Sequence, residues 1–231
     1  MFSFHMGYNN GMKPQILQEL GNTTLLGGGA VNHAILSECL TIAPNLVAAD
    51  GAADTALVLG HTPLAVIGDL DSVSDSARKT LGPDRIIETL DQMRTDFDKA
   101  LDVMSAPLVL GVGFMGGRLD HELACYNALV RMPNRTCILV GEEDLCFHVP
   151  SRFDISLPPG TRFSLFPMAK LVANCSGVLW PVVDLDMAPW AQIGTSNEAT
   201  GGRIELTCDH PGMLVILPRL YLAEVVMALT A

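Results

Sequence analysis

Between residue 23 and about residue 142 the chain repeats one pattern: a short, nearly unbroken apolar run, then a segment with helical periodicity. The runs "TTLLGGG", "NLVAAD", "LAVIGDL", "RIIETL", "PLVLGVG" and "TCILVGE" read as strands. Four of them are apolar almost throughout, the composition of strands buried on both faces. Between them, "HAILSECLT", "AADTALVLG", "SDSARKTLG", "TDFDKALDVM" and "LDHELACYNALVRM" read as helices. In the last, Leu119, Leu123, Tyr126 and Val130 fall on one face. A repeated βαβ order with right-handed crossovers predicts a mostly parallel sheet covered by helices on both sides.

The texture changes after "FHVP". Short alternating runs, "RFDISL", "RFSLFPM", "RIELTCD" and "GMLVIL", are separated by Pro and Gly turns, the pattern of a small antiparallel unit. The expected fold class is therefore α/β: an N-terminal mostly parallel αβα sandwich over residues 1–146, then a smaller C-terminal antiparallel domain over 147–231. At roughly 150 residues per domain, 231 residues accommodate this division.

Composition narrows the function classes. A net charge of −11 argues against a nucleic-acid partner, which needs clustered Lys and Arg. The opening "MFSFHMGYNNGMKPQ" lacks the basic and apolar regions of a secretory signal, and no apolar run reaches the roughly 18 residues that span a bilayer. The expectation is a cytoplasmic protein with no membrane association. Six cysteines without CxxC or zinc-like spacing, several inside apolar runs, read as reduced core thiols.

In an open parallel sheet, ligands bind beyond the carboxyl ends of the strands. Four polar signals fall there: Asp50-Gly51, the pair Asp69 and Asp71, Asp91-Gln92, and "FMGGRLDH". Each also reads as a turn, and Thr95 with Asp98 reads as a capping box that leaves Asp96 in the first turn of a helix. Their convergence argues for more, because several carboxylates close together repel unless a cation lies among them. Oxygen-only ligands select a hard ion, here Mg2+ shared with substrate phosphates. Asp69 and Asp71, two apart in extended backbone, point the same way.

Gly111-x-Gly113-x-x-Gly116 matches a dinucleotide fingerprint in spacing but lies in the fifth strand-helix unit and lacks the acid about 20 residues beyond. Gly117-Arg118 follows instead of Lys and Ser/Thr, so it is no Walker loop. It is a glycine-rich turn at a helix N-terminus, where free N–H groups and Arg118 can hold phosphate oxygens. His121 reads as a base or as part of a structural network.

With "AADGAAD", "VIGDLDS", "DQMRTDFDKAL", "GFMGGRLDH", "GVLWP" and "GTSNE" in this order, the chain resembles the thiamine pyrophosphokinase (thiamine diphosphokinase) family along nearly its whole length. It departs from the family pattern at Ala52, usually glycine, and at Met93, usually an acid. The resemblance implies transfer of a pyrophosphoryl group from ATP to the hydroxyl of thiamine with Mg2+, giving thiamine diphosphate and AMP. It also implies that the smaller C-terminal antiparallel domain is a β-sandwich, and a homodimer with thiamine at the subunit junction. Carried over by position, Asp69, Asp71 and Asp96 hold the metal, with Asp71, Asp96 and Arg118 central to catalysis. Asp50, Gly51, Gln92, Lys99, Gly117, Asp120 and His121 then surround ATP, while Trp180, Thr195, Ser196 and Asn197 meet thiamine. Two alternatives stay open: another metal-dependent nucleotide phosphotransferase or hydrolase, and a non-catalytic thiamine- or nucleotide-binding regulator.

Overall fold

The computed structural model describes residues 17–89 and 91–231; the opening stretch and Leu90, the last residue of "RIIETL", lie outside the described residues. The alternating pattern appears as β1 (Thr23–Leu26), α1 (His33–Ile42), β2 (Asn45–Ala49), α2 (Ala52–Val58), β3 (Ala65–Gly68), α3 (Asp75–Leu81), β4 (Ile86–Glu88), α4 (Asp96–Val103), β5 (Val109–Val112), α5 (Leu119–Arg131) and β6 (Cys137–Val140). Helices α1, α3 and α4 start where the sequence supplies caps. Asn32 Oδ1 accepts the Ala34 N–H, Ser74 Oγ that of Ala77 and Thr95 Oγ1 that of Asp98.

β1, β5 and β6 pair in parallel, as do β2, β3 and β4. The two sets adjoin where Thr23 bridges Pro44 and the Thr24 hydroxyl donates to the Ala43 carbonyl at 2.7 Å. Alternate strand residues feed two cores. Leu26, Ala48, Val66, Leu110 and Ile138 pack with α1, α2 and α3, whereas Leu25, Val47, Ile67, Val109 and Leu139 pack with α4 and α5. This is the doubly covered sheet that continuous apolar strands require. On α5 the buried residues are Cys125, Ala128 and Leu129; Tyr126 and Val130 are half-buried, while Leu119 and Leu123 face outward. The apolar face read from the sequence is thus rotated toward small residues, which let the helix lie close to the sheet.

Beyond β6 the chain turns antiparallel. β7 (Asp144–His148) pairs with β6 and with β13 (Met213–Pro218), which pairs in turn with β9 (Ser164–Pro167). A separate antiparallel sheet orders β11 (Val182–Met187), β10 (Leu171–Ser176), β12 (Gly202–Cys208) and β8 (Arg152–Leu157). Strands β8 and β12 show the period-two burial of one-sided strands. Phe147 of β7 meets Phe153 of β8 with ring centroids 5.5 Å apart, so the four-stranded sheet shares the core of the larger one. The expected division at 146/147 falls inside β7; β9 and β13 from beyond it complete the larger sheet, and the four-stranded sheet lies wholly after it. A terminal helix, α6 (Leu222–Thr230), packs on β8 through Leu222 and Val225.

All six cysteines are buried and unpaired, and burial raises every thiol, Cys39 and Cys125 to about 12. Among the described residues no helix is long and apolar enough to cross a membrane.

Candidate active site

The carboxyl ends of β2 and β3 lie side by side, and each ends in an aspartate. Asp50 is buried in the left-handed region at φ 44°, its backbone N–H donating to the Ile67 carbonyl at 2.9 Å. Gly68 permits this approach, since a Cβ there would meet the Asp50 Cβ at 2.9 Å. Beyond Gly68 the chain does not remain extended: Leu70 has φ 66° and its side chain is buried. The extended-backbone reason for Asp69 and Asp71 sharing a direction is therefore corrected. A tight turn brings them together, with the Asp71 N–H 3.4 Å from Asp69 Oδ1 and the Ser72 hydroxyl donating to Asp71 Oδ1 at 2.8 Å. From α3, Arg78 donates to the Leu70 and Val73 carbonyls, and from α2, Asp54 accepts the Ser74 N–H at 3.0 Å. Neither support is foreshadowed by the motif itself.

One carboxylate oxygen from each of Asp50, Asp69 and Asp71 lies within 4.8 Å of the others. Asp50 Oδ1 is buried with no hydrogen-bond partner among the described residues. Burial, reinforced by the charges of Asp96 and Asp71, holds the Asp50 carboxyl above the usual carboxylate range. Lys99 on α4 is only 3% exposed, and its Nζ lies 3.0 Å from Asp96 Oδ1 and 3.9 Å from Asp69 Oδ2. Asp96 thus joins the group through Lys99, while Asp50, read from sequence as a neighbour, stands within the tight trio.

Two other sequence readings resolve into local structure. Asp91 accepts the Met93 N–H and Arg94 Nε, both at 2.8 Å, and these hold its carboxyl below the usual range. It shapes the turn that leaves Gln92 and Met93 exposed at the rim. Asp98 is the fourth residue of the capping motif, yet its carboxylate is buried against Arg131 of α5, a clamp between two helices.

The glycine-rich loop leads into α5 from β5, which is separated from β2 by β1 in the sheet. The Gly116 N–H already donates to Glu122 Oε2 at 3.0 Å, so one of the N–H groups expected to be free is taken. Gly117, Arg118, Asp120 and His121 are exposed. Arg118 is 71% exposed and pairs with Asp120 at 2.7 Å; Asp120 Oδ1 also accepts the His121 N–H at 3.0 Å. These bonds lower the Asp120 carboxyl and raise the Arg118 guanidinium, yet both stay open to solvent and free to rearrange around an anion.

The third group lies in the later part of the chain. Asn197 is buried: its Oδ1 accepts the N–H groups of Trp180 and Glu198 at 3.1 and 2.9 Å, and its Nδ2 donates to the Trp180 carbonyl at 2.7 Å. It braces the backbone of Trp180, a residue 58% exposed. Thr195 and Ser196 are exposed, Ser196 with φ 61°. Among the described residues no hydrogen bond or ion pair joins this group to the carboxylates.

Residues 36–140 match the family model for the thiamin pyrophosphokinase catalytic domain. Thiamine pyrophosphokinase 1 of Oryza sativa subsp. japonica is 26% identical over 168 residues, covering 64% of this chain and 64% of the relative. Thiamine pyrophosphokinase 1 of Arabidopsis thaliana is 28% identical over 168 residues, covering 64% and 63%. The chain thus spans less than two thirds of the length of these curated relatives. Thiamin pyrophosphokinase from Candida albicans superposes with a TM-score of 0.70 at 17% identity, over 85% of this chain and 90% of that one. Thiamine pyrophosphokinase from Bacillus subtilis gives 0.68 at 20% identity, over 85% and 98%. These likenesses show the fold. The family match takes in every residue from Asp50 to His121 discussed above and ends before Trp180.

Proposed function

We propose that this chain belongs to the thiamine pyrophosphokinase family, a reading that the family model, the curated relatives and the solved structures support together, and that it is a thiamine diphosphokinase. It transfers the pyrophosphoryl group of ATP to the hydroxyl of thiamine, giving thiamine diphosphate and AMP. The observation that carries the reading is the trio Asp50, Asp69 and Asp71, with oxygens within 4.8 Å and one buried oxygen unpartnered. Such a set is incomplete without a hard cation, and it fits Mg2+. When bound, Mg2+ neutralises charge on the triphosphate.

The chain's own residues do the rest. Asp50, Asp69 and Asp71 hold the metal side, and Asp96 closes it through Lys99, whose ammonium also faces the phosphates. Gln92 and Arg118, exposed at the rim, bind phosphate oxygens, with Gly51, Gly117 and His121 beside them and Asp120 orienting Arg118. Trp180 packs against thiamine and the exposed Thr195 and Ser196 hydroxyls bond to it, while Asn197 acts by holding the Trp180 backbone. In-line attack on the β-phosphorus then depends mainly on positioning and electrostatics. Residues 1–146 carry ATP and metal, and 147–231 carry thiamine and the contacts of a homodimer. A cytoplasmic setting fits six unpaired buried thiols.

The test is product identity. With ATP, Mg2+ and thiamine, AMP and thiamine diphosphate are expected in equal amounts. ADP with thiamine monophosphate, or phosphate release without thiamine, contradicts the reading.

A further inference from the structure

Two loops at the carboxyl ends of neighbouring strands β1 and β5 are zipped together. The Gly27 N–H donates to the Val112 carbonyl at 2.7 Å and the Gly29 N–H to the Gly113 carbonyl at 3.0 Å. A Cβ at Gly29 would meet the Gly113 oxygen at 2.6 Å, and Gly113 itself has φ 79°, so neither position accepts a side chain without displacement. The next residue, Phe114, places its ring in the space these glycines leave. A Cβ at Gly27 would lie 2.6 Å from Phe114 Cε1, and one at Gly111 would lie 3.3 Å from Phe114 Cδ2. The ring packs on Phe97 of α4, centroids 4.7 Å apart and planes tilted 58°.

Phe97 is buried and directly follows Asp96. Phe114 precedes Arg118 by one turn of loop, all of it exposed from Gly116 onward. Between the two, Met115 packs toward Gly141 and the Gly116 N–H donates to Glu122 Oε2, contacts that tie the loop to β6 and to α5 but not to α4. We propose that Phe114 is a positioning residue: its ring latches the loop bearing Arg118 onto the helix bearing Asp96 and Lys99, so that the two charged edges of the site keep one spacing. This rests on the function proposed above for that site. A purely space-filling phenylalanine would support the sheet as a whole. The ring lies at the edge of the core between the sheet and α4, where it touches the β1 loop, the end of β5 and α4, the elements that carry the phosphate side of the site.

The test compares wild type, Phe114→Ala and Phe114→Tyr, using the Mg2+ complex of α,β-methylene-ATP, whose α–β bridge resists cleavage. Phe114→Ala should weaken binding of this analogue about tenfold, the scale expected when a binding group is displaced by a fraction of an ångström. The KM for thiamine should change little, and Phe114→Tyr, which keeps the ring, should restore binding. Amide exchange gives a second readout that needs no nucleotide: segments 27–31 and 113–118 should exchange faster in Phe114→Ala, while 137–140 and 144–148 stay protected. If Phe114→Ala does not fold, Phe114→Leu, which keeps apolar volume without the ring, is measured in the same way. Unchanged exchange in the two loops overturns the latch, as does faster exchange across the whole sheet or an equal loss toward thiamine. Should wild type fail to bind the analogue while Phe114→Ala still loosens only the two loops, the latch stands and the nucleotide reading falls.

Discussion

Replacing Asp50 by Asn tests the physical core of the site, because it removes one charge from a crowded trio while suiting the backbone: Asn tolerates φ near 44° at least as well as Asp. At 4.8 Å, the widest separation within the trio, two unit charges repel by about 3.5 kcal/mol at an effective dielectric of about 20 and about 0.9 kcal/mol in water. Asp50 is buried and Asp71 exposed, so a value of about 1–2 kcal/mol is expected between those limits. In EDTA at neutral pH, Asp50→Asn should therefore melt about 2–6 °C above wild type. The sign follows from the raised Asp50 carboxyl. The folded state takes up the proton more readily than the unfolded one, so the cost is absent at acid pH and grows as pH rises from the unfolded value, about 3.9, through the raised folded value. The advantage of the variant should shrink as pH falls. Adding Mg2+ should raise the melting temperature of wild type and do so far less for Asp50→Asn. A variant that melts below wild type in EDTA, or keeps the full Mg2+-dependent gain, would refute the reasoning.

Three further outcomes are expected. Asp71→Asn should lower turnover about 10²–10³-fold and require more Mg2+, and in EDTA it should also melt above wild type, by no more than Asp50→Asn, because it removes the same repulsion while its own exposed side chain adds no burial cost; steady-state kinetics over a Mg2+ series and melting curves check this. His148 Nε2 accepts the Gly212 N–H at 3.0 Å and burial lowers its basicity, so stability should fall as pH drops below about 6.5, where the unfolded imidazole charges first. His148→Gln should flatten that slope in denaturant titrations at pH 5 and 7. If the site is shared between subunits, mixing Asp71→Asn with Trp180→Ala chains under confirmed subunit exchange should recover up to about a quarter of wild-type activity, since half the dimers are mixed and each has one intact site. Activity that stays at the level of the two parents means that each site lies within one chain.

The alternating region was legible because its strands are buried on both faces, so "AVIG", "VLGV" and "CILV" announce themselves without partners. What lay hidden depends on distant pairing. β7 joins β13, some 70 residues away, and β10 and β11 alternate too weakly to stand out. Helix α6, "LAEVVMALT", is apolar on most sides and carries no cap, which leaves no amphipathic signature. At the site, the types and positions of the acids were readable, but their roles were not. Asp50 enters the trio only because Gly68 on the next strand lets it approach. Asp98 looks like a cap until Arg131 is seen against it. Asn197 reads as a ligand contact, and its partners are the backbone of Trp180 and Glu198.

The most direct measurement follows the label in ATP carrying radioactive phosphorus at the β position, incubated with the protein, Mg2+ and thiamine. Attack of the thiamine oxygen on the β-phosphorus predicts that the label moves into thiamine diphosphate, in step with AMP formation, and that label at the α position stays in AMP. Label retained in ADP, or released as phosphate or pyrophosphate whether or not thiamine is present, would contradict the account.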